Sequence, residues 1–469
     1  SERGNITGKD RAVLVESTPV QMLGLDKSGL NPAAVESSAR RVAEKAKIDP
    51  DAFVAKAHAA GAEEFVDAVP VRQEDLPADF LAIPGAALRT VTMPAPRSSG
   101  YARALLGTIG YATPEQAKEA GINVTPGDLV GVSGLQRTYD AQLRGSTGNR
   151  VFLAERDAPL GTGEPTNDTL LADFPDVPGD ALETTIDEDI QTAAEEQLRN
   201  VQVPASVVVL EAETGAILAA ADSPNARLKD DSTMAQLAPG LAASPVSALA
   251  LMRSGVDLDD DVECVREVVV AGRTYENDKN YRGRTGEVTL ERAIATGCTT
   301  AIAATSARLD AAKVPEAAKT LGLGAPLDVG VPIAMGDFPA PANEAAKVEA
   351  LTGFGAGGGW RASALALATM AASVEAGQTV SPFVVPEREP KVEGAAPLTE
   401  DETKALQDLM KAGAATYRPL TGATSGTSGG RTWAVGYTGD YAVAVVMADS
   451  TRGSLTPAQL VRTVASAAR

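Results

Sequence analysis

Catalysis in a polypeptide needs a nucleophile with a base, or a set of metal ligands, and this chain is poor in both. It has one histidine, His58, in the alanine-rich stretch AFVAKAHAAGA. A Ser-His-Asp triad can be built only around that residue, and nothing beside it suggests one. The two cysteines, Cys264 and Cys298, are a single widely spaced pair, which excludes a C-x-x-C redox motif and a four-ligand zinc site. In an oxidising compartment they can pair, for a gain of roughly 3–4 kcal/mol in the chain-entropy picture. In a reducing one they stay as buried thiols. The run DLDDDVE at 257–263 has the acidity of a calcium loop but lacks the glycine its sharp turn needs, so it reads as a solvated loop. GFGAGGGW at 353–360 has no Gly-Lys-Ser/Thr after it, so its glycines serve a tight turn or close backbone approach rather than phosphate. No cofactor or metal is expected.

The elements that would position any site follow from patterning. At 469 residues, with 44% apolar and 22% charged residues, the chain is long enough for two or three globular domains. RGNITGKDRAVLVES alternates like a strand pair. NPAAVESSARRVAEKAKI and DPDAFVAKAHAAG read as helices opened by an Asn-Pro or Asp-Pro pair. A further helix is expected at TPEQAKEAG, capped by Thr113 and stopped by Gly121. Pro, Gly and Asp crowd the region before residue 183, which places a boundary near 175–183, with domains at 1–178 and 179–469. Beyond it, ASVVVLEAETGAILAAAD reads as a hairpin through Thr214 and Gly215, and RTWAVGYTGDYAVAVVMADS as another turning at 438–440. Helices are expected between them, including SPVSALALMRSG and one continuous helix over TLERAIATGCTTAIAATSARL, and a last one at TPAQLVRTVASAAR capped by Thr456. Strands at both ends with helices between indicate a mixed α/β (α+β) domain whose sheet is closed by the C-terminal hairpin.

The order of these stretches resembles class B penicillin-binding proteins over almost the full length. The resemblance rests on RGNI at the start, VGVSGLQRTYDAQLRGSTG, TTIDEDIQTAAEEQL, VVVLEAETGAILAAADSP, TLERAIATGCTTAIA and WAVGYTGDYAVAVVM. It implies a dimerisation or pedestal domain of mixed α+β structure, then a transpeptidase domain with an antiparallel sheet flanked by helices. In the family, a serine three residues before a lysine forms the acyl-enzyme, the lysine accepting the hydroxyl proton. A serine-x-asparagine relays protons. A lysine-threonine-glycine edge strand meets the substrate carboxylate and pairs with the peptide backbone.

Residues 238–250, APGLAASPVSALA, keep the flanks of the first motif in Pro239, Gly240, Pro245, Ala248 and Leu249. They put the nucleophile position at Leu241 and the lysine position at Ser244. The second motif falls on Gly297, Cys298 and Thr299, the third on Thr424, Ser425 and Gly426. Leucine cannot form an acyl-enzyme, and losing one triad member in a serine hydrolase already costs about 10⁶ in turnover. No lysine stands close to rescue the site, because Lys229 and Lys279 bracket it and Arg253 stays protonated. Ser244 or Ser247 could attack instead only with a base the sequence does not identify; helix packing or backbone bonding accounts for both. Ser425 either retains a weak grip on a carboxylate or is an ordinary strand residue. Gly426, Trp433, Gly436 and Tyr437 keep the packing pattern of the closing hairpin.

The resemblance therefore implies a catalytically degenerate member of the family, acting by binding or scaffolding in peptidoglycan synthesis or division. Its expected setting is extracytoplasmic, reached through an N-terminal anchor outside this chain, with cell-wall synthesis or division proteins, and the peptidoglycan stem peptide, as partners. The alternatives are a D,D-transpeptidase or carboxypeptidase with rewired residues and a non-acylating muropeptide or β-lactam sensor. Whether the cleft is open, or filled by side chains such as Trp360 and Arg361, stays undecided by sequence. With 42 basic against 62 acidic residues and a formal charge of −20, nucleic acid is excluded as a partner. No apolar run is long enough to cross a bilayer.

Overall fold

The computed structural model describes residues 2–98, 100–113, 117–118, 124–125, 128–153, 170–226, 231–279, 281–353, 359–449 and 456–467. Most of the helix expected at TPEQAKEAG lies outside them, as do Lys229 and most of the glycine run at 354–358. Among the described residues, no helix is long and apolar enough to cross a membrane.

The opening strand pair forms as its alternation predicts. Ile6–Thr7 lies antiparallel to the long strand Val13–Asp26, which also pairs with Phe65–Val71 and Ala86–Pro96. Helices Val35–Ala46 and Pro50–Ala59 cover this sheet. Asp49 caps the second directly, accepting from Asp51 N and Ala52 N, and Asn31 caps the 3₁₀ turn Pro32–Ala34 that leads into the first. Leu23, Leu25, Val42, Phe53 and Phe80 form the core between them. Ile6–Thr7 has a second neighbour, the parallel strand Leu182–Glu183, so the chain leaves the first sheet only after Glu183.

The second sheet has five antiparallel strands in the spatial order Ile217–Asp222, Ala205–Glu211, Tyr441–Ala448, Arg431–Tyr437, Gly422–Ser428. The two expected hairpins are present, turning through Gly215 and Gly439, both with positive φ. Ala205–Glu211 is apolar on both faces because both faces are covered. Val207 and Val209 pack with Ile190, Leu460 and Val464 of helices Glu188–Leu198 and Pro457–Ala467. Val208 and Leu210 share the main core with Leu367, Met370 and Ala371 of helix Ala364–Ala376. That helix is buried from Ala364 to Val374, and its Thr369 and Ser373 hydroxyls are satisfied by hydrogen bonds to Leu365 O and from Val380 N.

Two expectations need correction. The single helix expected over TLERAIATGCTTAIAATSARL is two, Leu290–Thr296 and Thr299–Thr305. Gly297 ends the first in the left-handed region, at φ 73°, and Cys298 takes an extended conformation. Cysteine makes no cap here, and Asn277 does so from a distant loop, its Oδ1 accepting from Thr300 N at 3.1 Å. The acidic run at 257–263 is only partly a loop, since Asp261–Cys264 forms a ribbon with Gly286–Thr289. Its alternation of exposed Asp261 and Glu263 with inward Val262 and Cys264 is a strand period hidden by charge.

Candidate functional site

The 3₁₀ turn Gly240–Ala243 runs into helix Ser244–Arg253, with Pro245 in its first turn. Leu237 approaches the turn in a two-bond bridge to Ala362, at 2.9 and 2.8 Å. The Trp433 indole donates to Ala238 O at 3.1 Å. Facing the turn is the edge strand Gly422–Ser428, whose Thr424 Oγ1 donates to Leu241 O at 3.0 Å. Ser244 Oγ lies 3.0 Å from the same Thr424 oxygen. A threonine hydroxyl has one proton, so Ser244 is the donor in that second bond. Its proton points at a neutral hydroxyl and not at a base.

Three glycines enclose the turn. A Cβ at Gly426 would fall 2.5 Å from Ala242 N and 2.7 Å from Leu241 N, and one at Gly353 would fall 2.5 Å from Gly240 Cα. At Gly297 it would sit 3.3 Å from Leu241 Cδ1. The Leu241 side chain therefore reaches toward the room that a side chain at Gly297 would use. These contacts bring Leu241, Ser244, Gly297, Thr424 and Gly426 together from all three motif regions.

Other candidate residues stand apart from this cluster. Ser425 is exposed, on the opposite face of the strand from Thr424. Thr299 opens its helix and is 6% exposed. Ser247 is buried in the helix. Arg253 is engaged at the far end of that helix with Glu402, at 2.9 Å, and Thr320. Trp360 is buried against Phe338, ring centroids 5.3 Å apart, and Arg361 donates to Trp360 O. Cys264 and Cys298 are joined in a disulfide with a Cα–Cα distance of 6.1 Å. His58 lies in helix Pro50–Ala59 of the first domain.

Sequence reasoning missed two residues. Asn277 carried no signal, being one polar residue in a polar loop. Asp222, at the end of the strand Ile217–Asp222, accepts from Ser206 Oγ at 2.6 Å, Ser232 N at 2.8 Å and Ser232 Oγ at 3.0 Å. It fastens the short helix Asp231–Met234 that precedes the turn. Desolvation, helped by the nearby Asp231, pushes its carboxyl up to about 7 against the pull of its hydrogen bonds. Among the described residues, no group of His, Cys, Asp and Glu could hold a metal ion.

The result is a helix start packed on an edge strand, with Leu241 in the turn between them. Two family comparisons agree with that frame. The family described as "Penicillin binding protein transpeptidase domain" matches residues 205–466, and the "Penicillin-binding Protein dimerisation domain" matches residues 1–164. No single curated protein matches the chain. With a dimerisation domain followed by a transpeptidase domain, the second spanning more than half its length, the chain belongs to the penicillin-binding protein family and has its class B architecture.

Proposed function

We propose that this penicillin-binding protein serves the cell wall without acyl chemistry, as a binding or scaffolding component of peptidoglycan synthesis or division at the outer face of the cell membrane. The observation that carries the reading is the hydrogen-bond order at the first motif. Leu241 offers no nucleophile, and the neighbouring Ser244 gives its proton to Thr424, which gives its own to Leu241 O. A serine attacks efficiently only when a base takes its proton as the bond forms. A hydroxyl whose oxygen already donates to a backbone carbonyl cannot do that.

The edge strand favours a second reading, a non-acylating binder of stem peptides. Among the described residues, Gly422–Ser428 has one strand neighbour, so its other edge can take an extended peptide by backbone pairing. Thr424 and Ser425 leave it without the cation that would select a terminal carboxylate.

Intact mass measurement after soaking in benzylpenicillin tests the main reading. No adduct is expected, and a stoichiometric adduct on any serine overturns it. Thermal stabilisation by a muropeptide without an adduct would select the binder. A co-purifying partner with neither response would select the scaffold.

A further inference from the structure

Away from the site, one concavity is lined by charges of a single sign. It has a volume of about 590 Å³, opens to solvent, and is lined by Lys411, Ala414, Ala415, Arg418, Pro419 and Leu420. It lies where helix Glu400–Gly413 passes through the 3₁₀ turn Ala414–Thr416 toward the edge strand. Ala414 and Leu420 are buried and give it an apolar floor. Lys411 and Arg418 are exposed, and no ion pair among the described residues engages either. Two other cations at this helix are paired, Arg253 with Glu402 and Lys404 with Asp408.

In a chain with 62 acidic and 42 basic residues, two cations without an ion pair over one apolar floor give this concavity a local charge opposite to that of the chain as a whole. Lys411 in the last helical turn also suits the helix dipole. Arg418, beyond the helix, has no such role. The helix end meets the edge strand closely, since a Cβ at Gly413 would fall 2.2 Å from Ala423 O. A ligand here would touch the segment that feeds the edge strand.

We propose that this concavity binds a small amphiphilic anion. Lys411 and Arg418 hold its phosphate or carboxylate, and Leu420 and Pro419 pack against its apolar or sugar body. Arginine suits either group through paired N–H donors, and the acidic remainder of the chain keeps the affinity modest and salt-sensitive. The proposal does not depend on the absence of acyl chemistry.

The test is calorimetric titration of the whole chain at low salt with three probes: dihexanoyl phosphatidate, inorganic pyrophosphate and glucuronate. Binding of at least one probe is expected, weakened about tenfold or more in Lys411→Ala/Arg418→Ala, equal to ~1.4 kcal/mol, and unchanged in Lys404→Ala. Both substitutions are at exposed side chains, and circular dichroism checks that the fold persists. Tightest binding of phosphatidate supports a lipid headgroup as the source of the anion. Tightest binding of pyrophosphate or glucuronate supports a free phosphate or sugar acid. No heat from any probe at about 10 mM, a concentration that would reveal even millimolar affinity, overturns the proposal, as does equal affinity in the double variant.

Discussion

The turn at 240–243 and the neighbouring Cys264–Cys298 region are both held firmly, by opposite means. Around the disulfide, side chains do the holding. The cystine ties the ribbon Asp261–Cys264 to the helix break, Asn277 caps Thr299–Thr305, and Tyr281 Oη donates to Arg284 O at 3.1 Å. Around the turn, close backbone approach at glycines does it together with the Thr424 and Trp433 hydrogen bonds. Gly353 and Gly426 let two separate segments approach the turn within distances that a single methyl would forbid, and Gly297 leaves the Leu241 side chain its room. The contrast separates segments held by side-chain bonds from segments held by close backbone approach. Backbone proximity at these glycines keeps the helix start on the sheet whatever side chains stand at positions 241, 244 and 424.

The largest effect expected from disturbing this contrast is at Gly426. Gly426→Ala forces a methyl into two backbone nitrogens and should destabilise by about 3 kcal/mol or more, read by urea unfolding; a loss below about 1 kcal/mol would mean that the strand and turn can part easily. Next comes the covalent side. Cys264→Ser/Cys298→Ser should cost about 3–4 kcal/mol, seen as a lower midpoint in thermal unfolding, and an unchanged midpoint would show that Asn277 and packing suffice.

Asp222 gives a pH signature between these extremes. Its carboxyl, ordinarily near 4, titrates at about 7 in the folded chain. The folded state therefore holds a proton that the unfolded state has released across that interval. This group's contribution makes stability fall as pH rises from about 4 to about 7, then level off. Asp222→Asn should flatten that slope in melting temperatures measured across the range. An unaltered slope would place the titration elsewhere.

Leu241→Ala removes a half-buried side chain and should cost about 1–2 kcal/mol, below the range for a fully buried leucine. Combined with Gly297→Ala in a double-mutant cycle, it should relieve part of the crowding that the methyl at 297 creates. Strict additivity would deny the contact between the two motif positions. The smallest effect belongs to Thr424→Val. It should cost about 1 kcal/mol, because it removes the Thr424 donation to Leu241 O and the acceptor for Ser244; a shift within measurement error would show that the glycines alone hold the turn.

The sequence revealed much of the frame because the frame is local and repetitive. Apolar runs joined by turn residues marked both hairpins of the second sheet, and Asn31, Asp49 and Thr456 marked helix starts through their side-chain chemistry. The break at Gly297 was less legible. Apolar spacing continues through GCTT at helical period, and what stops the helix is a left-handed glycine followed by a cysteine held by its distant partner. Thr424 illustrates the deeper limit. The family resemblance implies a cation at its position, but no alignment of motifs says that its hydroxyl links two residues some 180 positions away. Such a role depends on which segments the tertiary fold brings together, and no pattern within one segment records it.

The parallel pairing of Ile6–Thr7 with Leu182–Glu183 has a mechanical consequence. With Gly4 N bonded to Leu143 O, Gly179 N to Glu2 O and Leu182 N to Asn5 O, the first residues are woven into the strip from which the chain departs for the second sheet. Tension applied at the chain's start would load this short shear joint before it reached either core. Movement of the two halves against each other would therefore be felt first where residues 2–7 meet residues 179–184.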